Sequence, residues 1–381
     1  MSTASPSASS SHDVDLLEAH DFCVSIALKA GSYLREQSAA RAGLRGPDAA
    51  VELTAQIKMS SVDIVTAADM ECERMITEAI TERYPSHAII GEESYSAGQE
   101  KRFLLTEAPT WIVDPLDGTV NYLHLFPQFC ISIALVINKK PVVGAIYAPF
   151  TPGISSHAQD SQNGTLYSAA DGLGSFLTQV NPENFPSLLD PLTRTREDRS
   201  TCSPTPYSAR LPLLKPPGPF PPEAPKSCLF AAEWGKDRRD KLDGNLTKKV
   251  NSMWNMACEI GGRGGKGGMV HGVRSLGSAA LDMAYVASGA IDIFWEAGCW
   301  EWDIAAGTCI LVEAGGFMYS AQPPLDYKEG DALPSADLGS RLYLAIRPCS
   351  GTENETARQA QDRVAKEIWR RVERMDYVRP K

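Results

Sequence analysis

At 381 residues, with 43% hydrophobic and 22% charged residues, the chain has the length and composition for a large globular core, as one big domain or two. A formal net charge of −10 argues against nucleic acid or an anionic membrane surface as the main partner, and so acidic a protein must neutralise charge locally if it acts on a phosphate. Nine cysteines without a C-x-x-C pair give neither a zinc signature nor a disulfide framework. Met1 to Ser11 lack a basic start and an apolar stretch, and no window holds ~18 uninterrupted apolar residues, so the expected location is the cytoplasm, with no membrane span.

Residues 1–12 are rich in Ser and Ala and read as disordered. From a cap at Asp13, the apolar positions Leu16, Leu17, Phe22, Cys23, Ile26, Ala27, Ala30, Tyr33 and Leu34 predict a helix, with a loop over 39–52. Met75, Ile76, Ala79 and Ile80 mark a second helix ending near Pro85, and Ala88-Ile89-Ile90 is a strand leading into Glu92 and Glu93. Phe129 to Asn138 and Val142 to Ala148 are β-branched, apolar runs predicted to form a hairpin about Lys139-Lys140-Pro141, and Thr165 to Ala169 continues the sheet.

The proline-crowded stretch from 182 to 227 reads as an insertion, an inert surface excursion that covers no catalytic group and is open to protease. A strand follows at Cys228 to Ala232, then a helix over Leu242 to Met256. Gly261 to Gly268 fails the P-loop spacing, since Lys266 is followed by Gly, and reads as a flexible loop. A helix through Ala279 to Val286, a strand from Ala290 to Trp295, a helix opened by Trp302-Asp303 and ended by Gly315-Gly316, the run Arg341 to Ile346 and an amphipathic helix from Ala357 to Val372 complete the chain.

The most informative stretch is Trp111 to Tyr122, WIVDPLDGTVNY. Its apolar residues read as the end of a buried strand, and Pro115 and Gly118 turn the chain so that Asp114 and Asp117 emerge together at a sheet edge. Two acids on one tight turn repel each other, and with backbone carbonyls between them they suit a hard cation such as Mg²⁺. The amides of Gly118 and Thr119, where a helix or turn begins, could donate to a phosphate oxygen. The six histidines show neither metal nor triad spacing, so no Ser-His-Asp pattern competes.

GEES at 91–94, DPLDGTVNY at 114–122 and WDIAAGTCILVEAGG at 302–316, in this order, resemble the inositol monophosphatase family of magnesium-dependent, lithium-sensitive phosphatases, over roughly residues 15 to 175 and 228 to 320. The resemblance implies an α+β, layered αβαβα fold with mixed sheets, commonly a homodimer, acting on a small phosphate monoester. It also implies two or three Mg²⁺ ions held by Glu92, Asp114, the Leu116 carbonyl, Asp117 and Asp303, with Asp114 bridging. Asp69 and Thr119 would orient the attacking water, with Glu92 also counted as catalytic, and Lys58 would lie near the phosphate. Gly118, Thr119, the Gly277-Ser278-Ala279 turn, Glu296 and Asp303 would meet the substrate, Glu296 accepting hydroxyls of a cyclitol without touching the ions. Glu93 reads as structural or solvent-facing. Cys299, Trp300 and Glu301 depart from the family's pattern, and Lys236 stands where the family tends to carry a small polar residue; both departures bear on substrate identity. The expected activity is hydrolysis of myo-inositol monophosphate; the alternatives are a 3′-nucleotide or sugar bisphosphatase of the same superfamily, or a non-catalytic regulatory relative docking through its proline-rich segment.

Overall fold

The computed structural model describes residues 14–44, 55–57, 64–98, 105–152, 164–190, 200–205, 208–377 and 379. The segment expected to be disordered, 1–12, and Lys58 lie outside the described residues. In chain order the elements are α1 (Leu16–Arg41), β1 (Ala55–Ile57), β2 (Ile64–Thr66), α2 (Ala67–Arg83), β3 (Ala88–Gly91), α3 (Glu92–Ala97), β4 (Thr110–Asp117), α4 (Thr119–Leu123), β5 (Cys130–Ile137), β6 (Lys140–Ala148), β7 (Thr165–Ala170), β8 (Gly174–Gln179), α5 (Phe185–Leu189), β9 (Ala209–Arg210) and β10 (Leu229–Ala231). They continue with α6 (Asn245–Ala257), α7 (Gly262–Gly265), β11 (Gly272–Arg274), α8 (Ala279–Ser288), β12 (Ile293–Ala297), α9 (Glu301–Glu313), β13 (Phe317–Tyr319), β14 (Leu342–Ile346) and α10 (Ala357–Arg371).

Strands β3 to β9 form one sheet in sequence order, parallel between β3 and β4 and antiparallel thereafter. A second, mixed sheet has the order β11-β10-β12-β14-β13. Alternation along the strands assigns the layers. In β4 and β5, Trp111, Val113, Ile131, Ile133 and Leu135 pack with α1 and α2, whereas Ile112, Ala134 and Val136 face the middle layer of α8 and α9. In β12, Phe294 faces that middle layer, while Ile293, Trp295 and Ala297 pack towards α10. The result is the expected αβαβα stack, and strands buried on both faces explain why these segments read as continuous apolar runs.

Several local expectations shift. The cap of α1 is Asp15, whose carboxylate accepts from the Leu17 and Glu18 amides at 3.0 and 3.1 Å. The β5–β6 hairpin turns on Asn138 and Lys139, both at positive φ, so Pro141 pairs inside β6 opposite Val136. The described part of the proline-rich stretch is no inert excursion. Leu211, Phe220 and Ala224 are buried in the cores, β9 adds an edge strand, and Pro221 and Pro222 carbonyls accept from Arg363 at 3.1 Å. The glycine-rich loop is likewise anchored: Arg263 stacks on Trp254 and bonds Asn255 and Asn251, and Lys266 pairs with Glu373 at 3.0 Å.

Candidate active site

Strand β4 delivers Asp114 and Asp117. Residues three apart on a regular strand face opposite sides, but the register of β4 against β5 shifts between them, Asp114 opposing Ser132 and Asp117 opposing Cys130. That bulge, at Pro115 and Leu116, brings both carboxylates to one face. The expected turn therefore comes later than the sequence suggests: pairing runs through to Asp117, and Gly118 turns the chain at φ 97° into α4. A Cβ on Gly118 would also meet the Gln128 carbonyl at 2.9 Å, so glycine is required twice over.

Asp303 enters from the first turn of α9, where it accepts from the Trp300 amide at 2.5 Å. One oxygen from each of Asp114, Asp117 and Asp303 lies within 4.8 Å of the others. Asp117 is fixed by the start of α8, its Oδ2 accepting from Ser278 Oγ and the Ala280 amide, both at 2.7 Å. Asp114 Oδ1 accepts from the Leu116 amide at 3.0 Å, while its Oδ2 is buried with no hydrogen-bond partner among the described residues. Burial first, then the charges of Glu92, Asp117 and Asp303, hold Asp114 well above the usual carboxylate range. Burial and Asp303 push Asp117 up to about 8, and burial and Glu92 push Asp303 to about 6. An orphaned buried carboxylate oxygen among three mutually repelling acids fits a divalent cation with oxygen ligands.

Glu92 opens α3 at the edge of this set, not within it. It is positioned by Glu73, which the sequence reading missed. The buried Glu73 carboxylate accepts from the Glu93 and Ser94 amides at 2.8 Å and from the Ser94 hydroxyl, capping α3 from α2. A Cβ at Gly91 would strike that carboxylate at 2.5 Å, so only glycine admits the cap. Glu93 thus serves structure through its backbone. The available signal was spacing: Asp69 and Glu73 stand i, i+4 with Cys72 and Ile76 on the buried face of α2.

Asp69 is buried at the start of α2, one oxygen accepting from the Thr66 amide at 2.9 Å and from the Thr66 hydroxyl, the other facing Thr119 Oγ1 at 3.2 Å. The same threonine hydroxyl lies 3.1 Å from the Leu116 carbonyl. Burial raises Asp69 to about 6.

Glu92, Asp114, Leu116, Asp117 and Asp303 line one cavity of about 500 Å³ with Gly118, Thr119, Gly277, Ser278, Ala279 and Glu296, whereas buried Asp69 is not part of its lining and meets it only through Thr119. Two of them are less available than expected. The Ser278 hydroxyl is committed to Asp117, and the Gly277 amide of the same turn donates to Glu233 at 3.0 Å. Both Glu296 oxygens accept from Lys249 Nζ, at 2.8 and 3.1 Å, and the pair is buried, with side chains 1% and 2% exposed. Lys249 was unforeseen, although Asn245, Lys249, Ser252 and Met256 fall on one buried stripe of α6. Of the 299–301 departure, Cys299 and Trp300 line the cavity, Trp300 stacking on Trp302 with centroids 5.3 Å apart beneath Arg341, whereas buried Glu301 pairs with Arg379 at 2.7 Å.

A layered αβαβα fold with an acid cluster at the meeting of two sheets defines the class of sugar-phosphatase-like proteins. The inositol monophosphatase family profile matches residues 15–373, and the chain belongs to that family. It is 46% identical over 372 residues to "Quinic acid degradation cluster protein x" of Neurospora crassa, covering 96% of this chain and 97% of the relative. It is 35% identical over 322 residues to "Inositol monophosphatase 2" of Saccharomyces cerevisiae, covering 83% and 84% of the two chains. The fold matches a solved inositol monophosphatase from Anabaena with a TM-score of 0.56 at 24% identity, covering 93% of this chain and 96% of that one. Among the described residues no helix is long and apolar enough to cross a membrane.

Proposed function

We propose that this chain is a Mg²⁺-dependent phosphomonoesterase that hydrolyses the phosphate ester of a cyclic polyol, with myo-inositol monophosphate as reference substrate. The observation that carries the reading is the orphaned Asp114 Oδ2 between Asp117 and Asp303. Asp114, Asp117, Asp303, Glu92 and the Leu116 carbonyl would hold two or three Mg²⁺ ions. Bound there, the cations would acidify a water and offset the charge that develops on the phosphate and leaving oxygen.

The chain's own groups supply the remainder. Thr119 Oγ1 can accept a hydrogen bond from the attacking water while donating its proton to Asp69 Oδ1, 3.2 Å away, so Asp69 is the final proton acceptor. Thr66 holds the other Asp69 oxygen and fixes its direction. The Gly118 and Thr119 amides face the phosphate, and the backbone of Gly277 to Ala279 faces the alcohol. Glu296, oriented by Lys249, keeps a second lone pair on each oxygen for a substrate hydroxyl. Lithium sensitivity, a homodimer, cytoplasmic residence and a single domain over 13–381 belong to the same reading.

The test is phosphate release from a panel of phosphate monoesters with Mg²⁺. Turnover of cyclic polyol phosphates supports the proposal, and turnover of none of the panel sinks it. The superfamily's bisphosphatase reading is kept because two cations, Lys236 and Arg238, line the cavity.

A further inference from the structure

The cavity has two walls of opposite character. One carries Glu92, Asp114, Asp117 and Asp303; the other is the loop from Glu233 to Arg238, between β10 and α6, with Glu296 behind it. Every acid on the loop wall has its oxygens engaged. Glu233 accepts from the Leu276 and Gly277 amides at 2.6 and 3.0 Å and from Ser275 Oγ at 2.9 Å, which fixes the alcohol-facing turn. Glu296 is taken by Lys249. Asp237 pairs with Arg239 through two bonds of 2.8 Å and also accepts from Asn245.

The cations on that wall are differently placed. Arg238 donates through Nε to the Gly235 carbonyl at 2.8 Å, makes no ion pair among the described residues and lines the cavity with its guanidinium exposed. Lys236, half exposed, lines the cavity beside Arg238 and reaches across to 3.7 Å from Glu92 Oε1. With Asp237 paired to Arg239 and Glu296 to Lys249, the charges left on this wall are Glu233, Lys236 and Arg238, one positive in excess. A neutral cyclitol cannot use that charge, whereas a second anionic group would make charge-assisted bonds to a planar guanidinium and an ammonium together.

We propose that the alcohol of the preferred substrate carries a second anionic group, a carboxylate or a phosphate, held by Lys236 and Arg238 on the loop wall of the cavity. The proposal rests on the phosphomonoesterase reading and narrows its substrate. Lys236 and Arg238 determine specificity and take no part in the chemical step.

Three substrates that differ at one carbon test it: glucose 1-phosphate, glucuronic acid 1-phosphate and glucose 1,6-bisphosphate, each assayed for 1-phosphate release with Mg²⁺. The wild type is expected to favour at least one charged compound over glucose 1-phosphate by about tenfold or more in kcat/KM, mainly through KM. Preference for the uronic acid alone identifies a carboxylate, and preference for the bisphosphate alone a phosphate. In the double variant Lys236→Ala, Arg238→Ala that preference should collapse to within about twofold. Equal kcat/KM on all three in the wild type overturns this proposal and leaves the phosphatase reading standing. Equal losses on all three in the variant also overturn it, showing that the cations serve the acid cluster. Hydrolysis of none of the three while myo-inositol 1-phosphate is turned over overturns this proposal alone, and no release from myo-inositol 1-phosphate either overturns both.

Discussion

Ser278 Oγ donates to Asp117 Oδ2 at 2.7 Å, joining the first residue before α8 to the last residue of β4 across 161 positions of sequence. With the Ala280 amide it fixes the direction of a carboxylate that has every electrostatic reason to move away from Asp114 and Asp303. Groups that orient metal ligands in this way typically contribute about 10–100-fold in metal affinity. Ser278→Ala should therefore raise the Mg²⁺ concentration for half-maximal activity by about tenfold, with a smaller change at saturating Mg²⁺. A metal titration of the variant checks this; an unchanged midpoint would remove Ser278 from the support of the site.

Glu73 should matter to stability before it matters to turnover. Removing its carboxylate leaves the amides of Glu93 and Ser94 without their acceptor under a buried helix start, at about 1–3 kcal/mol. Glu73→Ala is expected to lower the melting temperature and weaken metal binding through Glu92. A melting curve like that of the wild type would refute the capping role.

Glu296 and Lys249 should behave as one unit. Breaking a buried ion pair from one side strands the other charge, so Glu296→Gln or Lys249→Met alone should destabilise by about 3–5 kcal/mol. The double variant should recover much of that loss. Additive losses in denaturant unfolding would show that the two side chains act independently.

The metal-free protein should lose stability as pH rises. Asp303 titrates at about 6 and Asp117 at about 8 in the folded chain, above the ~4 of an unfolded aspartate. Between those values the folded state binds more protons than the unfolded one, so the stabilisation is complete below pH ~4 and is lost as pH climbs through 6 to 8. Saturating Mg²⁺ should offset this fall, because the cation replaces the protons. Thermal melts at pH 5.5 and 8.5, with and without Mg²⁺, measure both halves; a metal-free protein more stable at pH 8.5 would contradict the electrostatic picture.

Much of this was legible in the sequence because apolar runs and acids coincide: the strand before Asp114, the helix after Asp303 and the order of the three motifs all lie where the residues indicate. What stayed hidden depends on partners distant in sequence. Nothing local to Glu73 says that it caps α3, and nothing local to Glu296 says that Lys249 claims it, although Glu73 on α2 and Lys249 on α6 each appear as a charge on a buried helical stripe. The bulge at Pro115 and Leu116 shows only once β5 is paired beside it. Proline density misled for a related reason, because irregular backbone can still bury side chains: Phe220, 3% exposed and beneath Arg347, packs as a core residue although it lies among prolines.

The central claim is that three convergent aspartates make hydrolysis depend on a divalent cation, and phosphate release from myo-inositol 1-phosphate by chelator-treated protein, titrated with Mg²⁺, tests it most directly. Turnover should vanish after chelation and return with Mg²⁺, while Asp303→Asn, folded by circular dichroism, should stay about a thousandfold or more below the wild type at any Mg²⁺ concentration. Undiminished phosphate release from the chelated wild type, or full activity in Asp303→Asn, would contradict the account.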